Sequence, residues 1–289
     1  MYEYNAVYNM LYHKKPYSYN CTIPDTLFVG MTTKEVPKET IDLITSFGKL
    51  LIVCPSNCIP KDCNPLCNQK VEYLDDSECI KSLVKRSSRQ QYRKLYAYNR
   101  MNKMVQLREY VRKHINNYYA LQYSYIALCD LDLKFYKESI YSLFNDIPAR
   151  SVVSSMGVII KNYSNVTEVR KSESFNSFIY NDTIAYRGLN DDRYSSIHDN
   201  LNERLHSILG GVVHDVINSP EKLIQVQSAF GGMAIYPKDA FSTANYELVF
   251  NPKSDSNIEC ECEHVSFHYN LSKYGYKHFI NKEAFVIYE

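Results

Sequence analysis

The feature that most constrains the fold of this 289-residue chain is a strand-helix-strand pattern near its beginning. The apolar run Thr26–Met31 ends in the polar pair Thr32 and Thr33, and a helical segment follows, with Pro37 near its start and Gly48 at its end. The run "KLLIVC" then predicts a second strand. Two strands joined by a helix usually lie parallel in one sheet, with the helix packed on one face.

The same alternation continues along the chain. A long polar helix is predicted from about Ser87 to Tyr119, and a strand over Tyr125–Leu128. "SVVSSMGVII" predicts a further strand, and "IQVQSAFGGMAIY" predicts two strands around a glycine-containing bend. "NERLHSILGGVV" predicts a helix that stops at its glycines, "CEHVSFHYNLSKYG" a helix that ends at Gly275, and "HFINKEAFVIY" a closing pair of strands. We therefore expect a single α/β domain over residues 1–289, with a mainly parallel central sheet and helices on both faces.

Composition excludes several classes of partner. Hydrophobic residues make up 45% and charged residues 22% of the chain, which is typical of a soluble globular protein. The formal net charge of +1 gives no overall attraction to nucleic acid, so we expect no nucleic-acid partner. The sequence has no apolar run of about 18 residues and no signal-peptide core, so we expect no membrane span and a soluble, cytoplasmic protein.

The cysteines are concentrated in the segment "CPSNCIPKDCNPLC", which contains Cys54, Cys58, Cys63 and Cys67. Structural zinc sites usually begin with two cysteines separated by two residues, whereas the gaps here are three, four and three residues. The spacing therefore favours a cysteine-bearing loop. A zinc-centred interaction module on this cluster stays open as an alternative.

Two acidic residues, Asp130 and Asp132, follow an apolar strand in "YIALCDLDLKFY". In an open α/β sheet, ligands bind beyond the carboxyl ends of the strands. Side chains two residues apart in an extended segment point to the same side, so the pair can offer two hard oxygen ligands together. Such ligands suit a Mg²⁺ or Mn²⁺ ion that also holds a diphosphate. The simpler interpretation is two solvated acids at the end of a strand.

A phosphatase interpretation of the same pair also stays open. In haloacid-dehalogenase-type phosphatases the first Asp is the nucleophile and the second the acid/base, and "GLNDD" resembles their later acidic motif. Those enzymes carry the pair on the first strand of the domain, whereas here a strand-helix-strand unit and a long helix precede it. Leu133 also stands where those enzymes usually have Thr or Val.

Further segments in a fixed order point to a known family. "RKLYAYNRMNKM" precedes the D-x-D strand, and "YNDTIAYR", "SAFGGMAIY" and "CECEHVSFH" follow it. In this order the chain resembles GT-A glycosyltransferases, and most closely the fungal capsule-associated α-1,3-mannosyltransferases and related enzymes of large DNA viruses. The resemblance covers roughly Thr26 to Tyr288. It implies a Rossmann-like GT-A fold, with a nucleotide-binding half over about residues 22–135 and an acceptor and sugar half over about 136–289.

The resemblance implies how the first half would bind a nucleotide. Thr32 and Thr33 would receive the base and ribose. Arg100 would balance the charge of the diphosphate, and Asn102 would hydrogen-bond ribose or phosphate. In the family the Arg is often followed directly by the Asn, whereas here Met101 lies between them. Both residues could equally be solvated positions on a helix face.

The resemblance also assigns the metal, the sugar and the base. Asp130 and Asp132 would hold the metal, and Asp130 would also approach the nucleotide. A histidine would be the third metal ligand, and the candidates are His264, His268 and His278. Residues expected to lie close to the donor sugar or the acceptor are Asp182, Arg187, Gly231 and Gly232. Glu263 would deprotonate the acceptor hydroxyl.

The implied function is metal-dependent transfer of a hexose or deoxyhexose from a nucleotide-diphosphate sugar, with UDP or GDP as the nucleotide and Mn²⁺ or Mg²⁺ as cofactor. The acceptor would be a hydroxyl of a glycan or glycoprotein. Transfer would invert the anomeric centre if Glu263 is the base, and otherwise retention stays open. The alternative is a catalytically silent protein that binds a sugar nucleotide. If the source is a large DNA virus, the protein would act in the host cytoplasm or the virion.

Overall fold

The computed structural model describes residues 22–60, 70–77, 89–160, 178–180, 185–190, 211–250 and 260–288, with backbone alone at 89–98, 159–160, 178–180 and 211–214. The strands are β1 (Thr26–Met31), β2 (Lys49–Cys54), β3 (Val71–Asp75), β4 (Tyr125–Asp130), β5 (Ser151–Ile160), β6 (Phe178–Tyr180), β7 (Leu223–Val226), β8 (Met233–Pro237) and β9 (Lys277–Tyr288). The α-helices are α1 (Lys38–Thr45), α2 (Arg89–Tyr118), α3 (Lys137–Phe144), α4 (Gly211–Asn218), α5 (Ala240–Thr243) and α6 (Glu263–Ser272), and a short 3-10 helix spans Ser56–Cys58.

The described strands form one mixed sheet in the order β3-β2-β1-β4-β8-β5-β9-β7, with β6 paired to β5. The first four strands in this order run parallel to one another. Strand β8 is antiparallel to both β4 and β5, and β9 is parallel to β5. Since β8 lies between β4 and β5, the sheet is continuous from the first half of the chain to the second.

The order of the parallel strands creates a crevice at one edge of the sheet. From β1 the chain first adds β2 and β3 on one side and then β4 on the other. In open α/β sheets, ligands bind outside the carboxyl ends of the strands at the point where the strand order reverses in this way. Met31 is level with Asp130 in the register of β1 and β4, so the D-x-D pair lies directly at the crevice.

Helices cover both faces of the sheet, because the strands are apolar on both sides. One core contains Leu27, Leu128 and Tyr236 of the sheet together with side chains of α2, α5 and α6. The other core contains Phe28 and Ala127 together with side chains of α1 and α3. Residues on both faces of β1, β2 and β4 are buried, as expected for central parallel strands. The predicted α/β class and the helices on both faces are confirmed.

Several element predictions are confirmed and two are wrong. The predicted long helix is α2, and Gly275 adopts a positive φ of 84° directly after α6, as a helix-ending glycine does. The segment "NERLHSILGGVV" predicts a helix that stops at its glycines, but the helix α4 begins at Gly211 and continues to Asn218. Residues 201–210 lie outside the described part. The predicted closing strand pair is the single strand β9, which pairs with β5 on both sides of a bulge.

Within the part of the chain that the structure describes, no helix combines the length and the apolar character needed to cross a membrane. The longest, α2, carries polar and charged side chains over most of its surface.

Candidate functional site

The D-x-D pair lies where β4 leaves the sheet. The chain turns there, because the backbone N–H of Leu133 donates to the carbonyl of Asp130 over 3.3 Å. Asp132 is exposed and Asp130 is half-buried, so one carboxylate faces solvent and the other lies at the protein boundary. Lys134 then pairs with Ile287 near the end of β9, which anchors the chain on the far side of the turn.

The F-G-G bend lies directly behind this turn. The backbone N–H of Asp130 donates to the carbonyl of Gly232 over 2.9 Å, and Ser155 donates to the carbonyl of Gly231 over 2.6 Å. Both glycines have positive φ, of 61° at Gly231 and 86° at Gly232. A Cβ on Gly231 would lie 1.9 Å from the carbonyl oxygen of Ser155, and one on Gly232 would lie 2.4 Å from Leu133 Cδ1. The glycines are therefore required because Ser155 and Leu133 of the protein itself pack closely against them.

A buried arginine of α2 connects the D-x-D edge with the start of α6. Arg108 is 4% exposed, its Nε lies 3.7 Å from Glu263 Oε1, and its Nη2 lies 3.0 Å from His264 Nε2. Its guanidinium also lies over the ring of Phe230, 5.3 Å from the centroid. Burial by itself lowers the pKa of Arg108, but neighbouring groups that include Glu263 and Asp130 outweigh it and raise this pKa. Arg108 therefore remains a cation between the two carboxylates.

Glu263 occupies the first turn of α6, where the positive end of the helix dipole stabilises a carboxylate. It is 5% exposed. Among the described residues, Cys262 Sγ donates a hydrogen bond to its carboxylate, 3.4 Å from Oε2, and Arg108 Nε at 3.7 Å is too far away to do so. Arg108 therefore acts on the Glu263 carboxylate mainly through its charge.

His264 is neutral and has a fixed tautomer. Its burial, followed by the charge of Arg108, lowers its pKa well below the ordinary value. Because a guanidinium can only donate, Nε2 accepts and Nδ1 carries the proton. The Nδ1–H is buried without a hydrogen-bond partner among the described residues, and the ring stacks on Phe230 with centroids 4.2 Å apart.

His268 and His278 are built into the core behind this site. His268 Nδ1 lies 2.9 Å from Ser228 Oγ and its Nε2 lies 2.8 Å from Tyr236 Oη, and the side chain is fully buried. His278 Nε2 lies 3.0 Å from the carbonyl of His268 and the two rings stack. Both nitrogens of His268 are thus used by protein groups, so a metal could reach this ring only by displacing one of them.

The described residues do not gather a complete metal site. Among them, no group of three or more His, Cys, Asp or Glu side chains is arranged to hold one ion. What the edge of β4 offers is the D-x-D carboxylate pair, and carboxylate oxygens are the ligands that Mg²⁺ and Mn²⁺ prefer. Mg²⁺ commonly completes its coordination with substrate phosphates and water, so two carboxylates fit a metal that arrives with a diphosphate.

The residues predicted to bind the nucleotide have different surroundings. Thr32 and Thr33 follow β1 at the crevice. The hydroxyl of Thr32 donates to the carbonyl of Lys34 over 2.9 Å, and Thr32 Oγ1 accepts from the backbone N–H of Lys34 over 3.0 Å. Arg100 is exposed on α2, and Asn102 accepts a hydrogen bond from Gln106 over 3.1 Å. The structure therefore brings the threonines to the D-x-D edge, while Arg100 and Asn102 lie on the surface of α2.

The remaining predicted residues lie further from this edge or outside the described part. Arg187 is buried, and its backbone pairs with Ser228, which places it beside the hydroxyl that contacts His268. Asp182 lies outside the described residues, as do Cys63 and Cys67 of the cysteine cluster. Cys54 and Cys58, the described members of that cluster, are not joined in a disulfide; Cys54 is buried and Cys58 is half-buried.

Sequence reasoning missed two charged residues of this region. Arg108 is three residues after Val105 and three before Val111, so it lies on the apolar stripe that α2 buries. This position on the stripe is the sequence signal that Arg108 is buried. Asp76 follows β3 at the same sheet edge and is 4% exposed; burial raises its pKa. No pattern in the sequence distinguishes Asp76 from an exposed acid after a strand.

No family model matches this chain, and no curated protein is significantly similar to it in sequence.

Proposed function

We propose that the chain is a metal-dependent glycosyltransferase that moves a sugar from a nucleotide-diphosphate sugar to a hydroxyl acceptor, with the crevice between β1 and β4 as its donor site. The observation that carries the proposal is the convergence at one place of the D-x-D pair, the charge of Arg108 and the carboxylate of Glu263. Three segments that are far apart in the sequence supply these groups, and the crevice is where such folds bind ligands.

The donor would be held by the carboxyl ends of the parallel strands. Thr32 and Thr33 would lie beside the base and ribose, and Asp130 and Asp132 would hold Mn²⁺ or Mg²⁺. When bound, the metal ion supplies positive charge that stabilises the departing nucleoside diphosphate. Arg108 adds a permanent cation behind the pair, so its charge would also favour an anionic ligand at this edge.

Glu263 would act as the general base. The proton of the acceptor hydroxyl would pass to Oε1 or Oε2 as the oxygen attacks the anomeric carbon, and direct displacement would invert that centre. Arg108 would hold the carboxylate in position before the transfer, because its guanidinium lies 3.7 Å from Oε1 and attracts it by charge. Burial of Glu263 would limit the access of water and so limit hydrolysis of the donor.

A thermal-shift screen of UDP- and GDP-sugars, with and without Mn²⁺, tests the donor site, because a ligand that binds the folded state raises its melting temperature. We expect one donor to stabilise the wild type only with Mn²⁺, and Asp132→Ala to remove that shift. Asp42→Ala, which removes an exposed acid of α1, is the matched control and should behave like the wild type. Donor stabilisation of Asp132→Ala equal to that of the wild type would remove the metal-bridged interpretation.

A turnover assay separates the proposal from its alternatives. Glu263→Gln should retain donor binding and lose transfer, whereas unchanged turnover would remove Glu263 as the base. Hydrolysis of simple aryl phosphates that depends on Asp130 would favour the phosphatase. Donor binding without transfer or hydrolysis would favour the catalytically silent protein.

A further inference from the structure

A pocket of about 250 Å³ lies on the α6 side of the sheet, away from the D-x-D edge. It is enclosed by the end of β7, the later turns of α6 and the start of β9. Its polar and aromatic lining includes Gln225, Gln227, Tyr269, Tyr276, Lys277 and His278. No acidic side chain is among the described residues that line it.

The pocket extends along one face of α6. Its wall includes Val265, Tyr269 and Ser272, which are four and three residues apart and so share one face of the helix; the first and the last are separated by roughly 10 Å. Glu263 precedes Val265 by two residues and therefore projects from the opposite face of α6. Strand β9 runs in the same direction as β4, because β8 is antiparallel to both β4 and β5 and β9 is parallel to β5. The start of β9 therefore lies at the end of the sheet opposite Asp130, so the pocket is separate from the proposed donor site.

A buried histidine in the pocket wall has an unused acceptor. His278 lines the pocket and is 3% exposed, and its burial lowers its pKa to about 4, so the ring is neutral near pH 7. Its Nε2–H donates to the carbonyl of His268, which leaves Nδ1 as an acceptor. Nδ1 has no hydrogen-bond partner among the described residues. A buried acceptor without a partner costs free energy that a ligand donor, such as a hydroxyl, can recover.

The lining matches the chemistry of a neutral sugar. Tyr269 is 39% exposed and presents an aromatic ring that can pack against the C–H face of a sugar ring. Side-chain amides such as that of Gln225 supply both donors and acceptors, which suits ligands with adjacent hydroxyls. The volume is just below the range of about 300–1,000 Å³ typical of drug-sized ligands, and it suits one or two sugar rings. The one cation, Lys277, is exposed and has no acidic neighbour in the lining.

We propose that this pocket is a binding site for a neutral oligosaccharide of one or two sugar units, separate from the proposed donor site. The inference rests on the lining of the pocket and on the buried Nδ1 of His278, and it does not depend on the proposed function.

The test measures sugar binding without nucleotide or metal. The full chain is titrated with neutral disaccharides (mannobiose, maltose and lactose) and binding is followed by saturation-transfer NMR. We expect at least one disaccharide to bind, and we expect Tyr269→Ala to weaken its binding by about two- to tenfold, a loss typical of an aromatic contact. Gln225→Met keeps the volume and removes the amide, so it should also weaken binding. Tyr274→Ala, at an exposed tyrosine outside the pocket, is the matched control and should bind like the wild type.

These results can be separated from the fate of the proposed function. Asp132→Ala should bind the disaccharide like the wild type, because the pocket does not involve the D-x-D edge. Disaccharide binding without any transfer would count against the glycosyltransferase and leave the sugar pocket standing. No binding by any of the three disaccharides, or binding that neither Tyr269→Ala nor Gln225→Met weakens, would overturn the pocket proposal.

Discussion

Replacement of Arg108 should show that it and Glu263 stabilise the fold as a pair. Arg108→Met keeps much of the side-chain length over Phe230 but leaves the Glu263 carboxylate buried without a cation. Removal of one partner of a buried ion pair typically costs about 3–5 kcal/mol of unfolding free energy. Both side chains here are about 5% exposed, so solvent screens this pair little. We therefore expect a loss within this range.

The assay is urea denaturation at pH 7.5 of the wild type, Arg108→Met, Glu263→Gln and the double variant. With a slope near the upper end of about 1–3 kcal/mol/M, Arg108→Met should lower the midpoint by about 1–1.5 M. The double variant should be more stable than Arg108→Met alone, with a coupling of about 1–3 kcal/mol, because it no longer buries an uncompensated charge. Lys113→Met, at an exposed position of the same helix, is the control and should change stability by less than about 0.5 kcal/mol.

The double variant also supplies the outcome that would refute the ion-pair reasoning. Strictly additive effects of Arg108→Met and Glu263→Gln would show that the two side chains do not stabilise the fold as a pair.

The remaining predictions concern the bend and the buried histidines. Gly231→Ala should lower the free energy of unfolding by about 2–4 kcal/mol, because a Cβ would overlap the backbone of β5 and φ is positive. Gly275→Ala, where φ is also positive but the space is open, should lower it by about 1 kcal/mol, and the urea midpoints of the two variants test this difference. Burial lowers the pKa of His264 and His268 well below the ordinary value and that of His278 to about 4. These rings stay neutral in the folded state while the unfolded chain takes up protons below about pH 6.5, so each ring reduces stability as pH falls, by up to about 1.4 kcal/mol per pH unit. Stability measured from pH 7 to pH 5 should fall less steeply in His278→Gln, and equal slopes would contradict this account.

Local patterns predicted the parallel half of the fold well. Strands β1, β2 and β4 are short apolar runs bounded by polar turns, and both faces of such strands are buried, so their sequence alone identifies them. The long helix α2 is also legible from its apolar stripe. The carboxyl end of β4 follows from the strand itself, so the place of Asp130 at the crevice could be predicted.

Features that depend on tertiary contacts could not be predicted. Strand β9 is continuous because β5 and β7 pair with it on its two sides, and its own sequence suggests a break near Asn281 and Lys282. The helix α4 begins at Gly211, where a glycine in sequence indicates a stop. The buried position of Arg108 can be inferred from the apolar stripe of α2, but its partners Glu263 and His264 come from a helix more than 150 residues later in the chain, and no local pattern identifies them.

Binding of Mn²⁺ to the D-x-D carboxylates can be followed by electron paramagnetic resonance, with and without a nucleoside diphosphate. We expect the wild type to bind Mn²⁺ tightly only when UDP or GDP is present, because the D-x-D carboxylates and the diphosphate would share the ion. The double variant Asp130→Asn/Asp132→Asn should lose this binding while its urea midpoint stays close to that of the wild type. Binding of Mn²⁺ and nucleotide that survives the loss of both carboxylates would show that the D-x-D pair does not hold the metal.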